Sequence, residues 1–536
     1  MAVFELVIVL LLVGAVLAAW ARRLNVPYPA LLALAGAGLA LLPNVPSVTL
    51  DPQLALALFV APVLLDAAFD TSPRDLKQYW RPVASLAFFT VTVTVVAVAL
   101  VARWSIPALP WAAAIALGAI VAPPDAAAAI TVLRQLRPPH RLLVILGGES
   151  LLNDATALLI YRLAVAAAMT GTISGWTVIP TLALVAIGSV VLGAVLSRIS
   201  IRVTTGIEDI ATAVIVQFLS TFGVWILAER LGLSGIITMV VYAILVAREA
   251  PDLISARVRI PSYAVWEVVV FVLNALAFIL VGLQLKPILN RLTGTELVRY
   301  TVVAALVCAT VILARILWVF GYVAVARWMQ PRPTRAPDEY PSFRAAAVVG
   351  WCGMRGTVTL AAALALPDGP LGTRFPYRDL ILFTAFSVVL VTLVLQGMTV
   401  RPLMRVLDLH DDGSVDREVR LARAETARAA LDAVGDGGSE GDLVQLFRRK
   451  YQDRLRKAER ASPGSPASDG DGIGDFTEVQ RRAHAAERRT LSDLRAQGVI
   501  GDDASTSWRR SSTGPRCTGK AWPGARSPAF WPTAAR

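Results

Sequence analysis

Apolar runs long enough to cross a bilayer recur along most of this chain, each closed by a short polar stretch. Between Val3 and Val406 the hydropathy pattern predicts thirteen spans. They lie at about 3–21, 26–42, 52–70, 80–102, 107–133, 141–168, 176–201, 208–231, 233–248, 263–286, 296–327, 343–366 and 378–406. The eighth and ninth are separated only by Gly232. The pattern predicts an all-α polytopic membrane protein. Two runs are interrupted. The fifth carries Pro123-Pro124-Asp125 at its middle, where consecutive prolines remove backbone donors and break a helix. The twelfth carries Gly350-Trp351-Cys352-Gly353-Met354-Arg355-Gly356. If the spans divide as six, a linker and six, the fifth and twelfth correspond. Interrupted helices at matching positions of two repeats mark a midplane site. The expectation is six-helix inverted repeats with two broken, crossing helices.

The polar positions between the runs give the orientation. Seventeen Lys and Arg residues fall in odd-numbered connections: Arg22, Arg23, Arg74, Lys77, Arg81, Arg134, Arg137, Arg141, Arg198, Arg202, Arg248, Arg257, Arg259, Arg327, Arg332, Arg335 and Arg344. The even-numbered connections hold seven: Arg103, Arg230, Lys286, Arg291, Arg299, Arg374 and Arg378. This bias puts the odd connections in the cytoplasm, the N-terminus outside and the C-terminus inside. Glu5 precedes the first run and Arg22-Arg23 follow it, the reverse of a signal peptide, so that run is expected to be a retained helix.

Composition narrows the function. Of 536 residues, 56% are hydrophobic and 17% charged, against about 45–50% and about 25% in soluble domains. Soluble enzymes and free nucleic-acid binders are excluded. The net charge is +12. The cysteines (Cys308, Cys352, Cys517) match no disulfide framework or metal spacing. None of the histidines (His140, His410, His484) lies inside an apolar run, so protons handled in the membrane fall to carboxylates.

The ionisable residues inside the runs are Asp66, Asp125, Glu149, Asp154, Arg162, Glu267, Arg315 and Arg355. Each costs at least about 2.5–3.5 kcal/mol at the bilayer centre, so those that persist are paired or functional. The densest group is Gly147-Gly148-Glu149-Ser150-Leu151-Leu152-Asn153-Asp154. Ser150 and Asp154 are four apart, as are Glu149 and Asn153, so the four share a broad helical arc. A hydroxyl, an amide and two carboxylates are the oxygen ligands that hard monovalent cations take.

That segment, with the upstream Pro-Pro-Asp and the downstream Gly-Met-Arg-Gly-Thr-Val-Thr-Leu-Ala, resembles the sodium/proton exchanger family of monovalent cation–proton antiporters. Ala61-Pro62-Val63-Leu64-Leu65-Asp66-Ala67-Ala68, Phe278 to Leu285 and the membrane arginine of Leu313-Ala314-Arg315-Ile316 extend the likeness over all thirteen spans. The resemblance implies that Asp154 alternates between a cation and a proton. It marks Asn153 as the sign of the electroneutral branch, and makes Ser150 and Asp66 oxygen ligands of Na⁺ (or K⁺ or Li⁺). It implies that Asp125 sits where the broken helices cross and holds Asn153 or a bridging water, and that Glu149 pairs structurally with Arg355. Relatives usually carry threonine before the crossing aspartate. Here Pro124 precedes Asp125 and Ala126 follows it, so a ligand there must be a backbone carbonyl. The family is typically a homodimer in the cell membrane, transports Na⁺ or K⁺ against H⁺, and needs no cofactor and no nucleic acid.

Simpler readings compete residue by residue. Asp154 could be a buried carboxylate paired with an arginine for stability, and Asp66 a lone interface acid. Asp125 could serve only a helix end. Arg315 reads as structural, Glu267 and Arg162 as interface residues or partnered charges, and Asn274 and Gln284 as interhelical hydrogen-bond residues. Among whole functions, an intramembrane hydrolase built on Ser150 lacks its histidine. A channel would want rings of like residues along a continuous pore. The reading is a transporter, with a core bundle of spans four to six and eleven to thirteen rocking against a scaffold.

From Asp408 the composition changes abruptly. The transmembrane domain is expected over 1–406 and a cytoplasmic helical segment over 407–460, whose basic residues at 448, 449, 450, 454, 456 and 457 could meet lipid headgroups. A linker follows at 461–474, a short helical segment at 475–503 and a low-complexity basic tail, expected disordered, at 504–536.

Overall fold

The computed structural model describes residues 2–460 apart from 25, 43–53, 55, 70–71, 135, 137, 171–174, 293, 330–341, 369–373, 410, 412 and 435–441. The linker, short helix and tail read at 461–536 lie outside the described residues. Each apolar run coincides with a helix or a broken pair of helices. In chain order these are α1 (Ala2–Leu24), α2 (Tyr28–Ala40), α3 (Leu56–Phe69), the short polar α4 (Pro73–Gln78) and α5 (Trp80–Ser105). The fifth run is split into α6 (Trp111–Val121) and α7 (Ala126–Arg134). Then come α8 (His140–Thr170), α9 (Gly175–Thr205), α10 (Ile210–Arg230), α11 (Gly235–Leu253), α12 (Ala256–Leu283), the single turn α13 (Leu285–Leu289) and α14 (Gly294–Met329). The twelfth run is split into α15 (Phe343–Trp351) and α16 (Thr357–Leu364), and α17 (Arg378–Leu407) closes the membrane part. Seven of these helices are long and apolar enough to cross a membrane by length and composition.

Local chemistry sets the ends. α10 starts at Asp209, whose carboxylate accepts from the Thr212 N–H at 2.8 Å; α11 starts at Ser234, whose hydroxyl accepts from the Ile237 N–H. Between them Gly232 adopts φ 71°, a left-handed conformation that glycine takes without strain and that lets the chain reverse within four residues. α3, α5 and α17 each contain a π-helical turn, at Leu56–Val60, Ser85–Thr90 and Thr392–Gln396.

In a bilayer, lipid tails are as apolar as leucine, so helices associate through close packing. α2 and α12 show this. A Cβ on Gly36 would stand 2.2 Å from the Ile279 carbonyl oxygen, and one on Gly282 would stand 2.3 Å from that of Ala33. Only glycine permits the approach. One buried apolar cluster joins α5, α6, α8, α14, α16 and α17. A second joins α3, α10, α11 and α12, with Leu151 of α8 at its edge. Outward-facing apolar residues such as Leu184, Ile187 and Leu219 suit contact with lipid. From Asp416 onward the described residues belong to a separate unit, where α18 (Ser414–Val434) and α19 (Asp442–Arg460) are joined by Arg428 and Glu459 at 2.8 Å.

Candidate ion-binding site

The two breaks lie against each other. α6 ends at Val121 and α7 resumes at Ala126; α15 ends at Trp351 and α16 resumes at Thr357. The Asp125 N–H donates to the Met354 carbonyl at 2.6 Å, tying one break to the other. Four helix ends therefore meet, each with backbone groups that no intrahelical bond satisfies. Arg355 serves the carbonyl ends. Its guanidinium donates to the carbonyls of Val121 (3.1 Å), Ala122 (3.4 Å) and Gly353, and its own N–H donates to the Thr392 hydroxyl at 3.0 Å. Asp125 serves the opposite ends. It directly precedes α7, and its carboxylate lies so close to Gly356, just before α16, that a Cβ there would come within 1.7 Å of Oδ2. A negative group at helix N-termini and a positive one at C-termini is the arrangement the helix dipoles favour.

This geometry overturns one expectation. Glu149 does not pair with Arg355. Its carboxylate takes two hydrogen bonds from Arg315 of α14, to Oε1 and, at 2.8 Å, to Oε2. Arg315 also donates to the Val349 carbonyl at 3.1 Å. Both residues are 1% exposed. The reason is the break itself: its orphan carbonyls occupy Arg355, while Arg315, on an unbroken helix, keeps a whole guanidinium face for a carboxylate. Of the two alternatives read for Asp125, direct contact with Asn153 is not found. The Asn153 amide is held by the Pro124 carbonyl, to which Nδ2 donates at 2.9 Å, and not by the Asp125 carboxylate. Proline leaves the carbonyl as the only polar backbone group at position 124, and Asn153 uses it.

The four polar residues of α8 thus divide. Glu149 and Asn153 face the buried crossing. Ser150 and Asp154 face a cavity of about 1310 Å³, which Asp66, Pro124 and Asp125 also line. Asp154 is 8% exposed. Among the described residues no arginine, lysine or histidine pairs with it, and the neighbouring charge that acts on it is Asp125, another carboxylate. The reading of Asp154 as half of a structural ion pair finds no partner there.

Charge inside the cavity favours cations. Asp66, Asp75, Asp125, Asp154 and Glu267 line it against Arg134, Arg259 and His140, and a low-dielectric cleft focuses such a field. The cavity reaches Asp75, Arg134, His140, Ile254 and Arg259, all near the odd-numbered connections. His140 meets Asp75 there at 3.0 Å. Towards the even-numbered connections Phe59, which lines the cavity, makes an apolar contact with Ala277 and Ala361, backed by Leu276 and Leu280.

Several wall residues escape a reading of the sequence. Tyr28 shares a side-chain hydrogen bond with Thr131 and lies within electrostatic reach of Asp125 and Asp66. Its ring packs against Phe271 at 5.6 Å. A tyrosine at the start of an apolar run reads as an interfacial anchor, so nothing in the pattern marked it. Glu267 and Asn274 also line the cavity, whereas Arg162 leaves it to pair with Glu229 at 2.9 Å.

The chain is similar to known proteins over most of its length. The family described as sodium/hydrogen exchanger, transmembrane, matches residues 8–406. An uncharacterized Na⁺/H⁺ exchanger of Mycobacterium tuberculosis is 32% identical over 521 residues, 93% of each chain. A sodium, potassium, lithium and rubidium/H⁺ antiporter of Bacillus pumilus is 29% identical over 81% of this chain and 66% of its own. In three dimensions the chain is similar to the sodium proton antiporter MjNhaP1 of Methanocaldococcus jannaschii. The TM-score is 0.60 at 19% identity, covering 76% of this chain and 99% of that one.

Proposed function

This chain belongs to the sodium/hydrogen exchanger family, a family of multi-pass membrane transporters and not of enzymes, and we propose that it performs its exchange through one carboxylate, Asp154. It is a monovalent cation–proton antiporter. The observation that carries the site assignment is that Asp154 is nearly buried, lines the cavity and has no cationic partner among the described residues. A carboxylate in such a place must be neutralised from solution, by a proton or by a metal cation. The two compete for the same oxygens, and that competition is the coupling. Ser150 and Asp66 add oxygens to the cation, and Pro124, which also lines the cavity, can add the second lone pair of its carbonyl. Asp125 and Arg355 hold the crossing, and Glu149 with Arg315 fixes α8 against α14.

Na⁺ is the first candidate cargo, with K⁺ and Li⁺ behind it; the Bacillus pumilus relative is named for all three. The cavity opens toward the connections assigned to the cytoplasm, so this conformation is inward-facing. Spans four to six and eleven to thirteen form the moving core. The chain works in the cell membrane as a homodimer.

Exchange is electroneutral in this reading. Asn153 has no proton to give, and both oxygens of Glu149 are taken by Arg315, so one H⁺ moves for each cation. The weak point is Asp66, which would raise the stoichiometry to two if it also cycled a proton. Liposomes clamped with K⁺ and valinomycin test it, once K⁺ is shown not to be a substrate. A reversal point set by the Na⁺ and H⁺ gradients alone is the expected result. Each uncompensated charge would add about 2.3 kcal/mol per 100 mV, so a voltage-dependent reversal point would overturn one-for-one exchange.

A further inference from the structure

On the side of the even-numbered connections, above the apolar contact, the link between α12 and α14 is fastened at two points. At one, the Lys286 ammonium donates to the Leu42 carbonyl beyond the end of α2, at 3.1 Å. At the other, Arg291 reaches Asp368 at 3.2 Å and Asp379 at 3.8 Å, residues that follow α16 and open α17. The same two carboxylates are shared by Arg374, at 3.4 Å from Asp368 and 2.7 Å from Asp379. Arg378, 7% exposed, approaches Asp368 at 3.1 Å and donates to the carbonyls of Leu366 and Leu364 at the end of α16. Burial alone would raise the carboxyl of Asp368, but the hydrogen bond from Arg291 and the surrounding guanidinium groups hold it below its ordinary range.

We propose that this link is the outer latch of the exchange cycle, with Arg291 locking the scaffold-side strap to the core through Asp368 and Asp379. The proposal rests on the antiport reading, and in particular on a core that moves against α2 and α12. α2 and α12 pack backbone against backbone at Gly36 and Gly282, a contact too close for any side chain to slip between, so they move as one piece. Lys286 ties the strap to that piece, and Arg291 ties it to the loop between α16 and α17. The ion pairs therefore span the seam that must open when access changes sides. The apolar contact of Phe59, Ala277 and Ala361 lies on the same seam, so opening the latch exposes it to outside water. An exposed ion pair holds weakly and is screened by salt, which suits a contact that must form and break in every cycle.

The test reads access directly. Ala361→Cys, in a chain whose Cys517 is replaced by serine, is exposed to a membrane-impermeant maleimide in right-side-out vesicles. The chain lacking Ala361→Cys reports any reaction at the buried Cys308 and Cys352. Adding Arg291→Ala should raise the labelling rate roughly three- to tenfold, the shift expected from two lost exposed pairs. Arg291→Lys should give a smaller rise. Choline chloride at molar concentration should accelerate labelling with no change at Arg291, which keeps the test valid if Arg291→Ala does not fold. Labelling unchanged by salt, or unchanged in a folded Arg291→Ala protein, would overturn the latch. Labelling needs no transport, so exchange measured on the same preparations judges the antiport reading separately.

Discussion

Two pairs of residues on α8 are almost alike in chemistry and opposite in surroundings. Glu149 and Asn153 are each one carboxylate or amide, four residues apart; Ser150 and Asp154 repeat the spacing one step, about 100°, further round the helix. The first pair meets fixed protein partners: Arg315 for Glu149 and the Pro124 carbonyl for Asn153. The second pair meets the cavity. Burial does not separate them, since Asp154 is only 8% exposed. The partner does. A buried carboxylate with a bidentate guanidinium is neutralised permanently and cannot exchange its counter-charge. One without a cation must take its neutralising charge from solution, and on that the proposed exchange rests.

The sharpest way to break this comparison is at Asp154. Asp154→Asn should reduce exchange in liposomes to the background of empty vesicles while leaving thermal stability close to that of the parent. The amide mimics the protonated acid but releases no proton. Substantial residual exchange by the purified variant would remove the central assignment.

The next largest effect belongs to the other face. Glu149→Ala and Arg315→Ala should each destabilise the protein by about 3–5 kcal/mol, because each strands a buried charge. The double variant should cost clearly less than the sum. Glu149→Ala with Arg355→Ala, by contrast, should be close to additive, since Arg355 spends its donors on carbonyls. Detergent melting curves of the parent, the three single variants and the two double variants decide it. A strong coupling of Glu149 to Arg355 and none to Arg315 would contradict the geometry.

Ser150→Ala should have the smallest effect. Losing one hydroxyl ligand should raise the apparent KM for the cation roughly three- to tenfold, the worth of one hydrogen-bond-sized contact. Its maximal rate should stay near that of the parent. An unchanged KM for Na⁺, K⁺ and Li⁺ would show that the hydroxyl only lines the wall.

Much of this molecule was readable in its apolar runs. In lipid every backbone group must be satisfied within its own segment, so a long apolar run has helix as its solution. Each run duly coincides with a helix or a broken helix. The breaks were equally legible, because Pro123 and Pro124 remove donors whatever surrounds them. The acids converging on the cavity could be listed from the same pattern, since a charge is costly in hydrocarbon wherever the helix packs.

What the run of residues could not assign was partnership. Arg315 and Arg355 are both mid-span guanidinium groups, and nothing local says which one meets Glu149. That choice depends on which helix ends come together, and the carbonyls freed at Val121, Ala122 and Gly353 claim Arg355 only once the breaks cross. Tyr28 and the strap residue Arg291 were hidden for the same reason, each taking its role from a helix far away in the chain. The sequence by itself determined the helices, their interruptions and the identity of the buried acids, because those follow from local backbone and solvation costs. Only the tertiary structure decided which acid meets a guanidinium and which faces the cavity without one, because pairing is a matter of distance between segments the chain does not join.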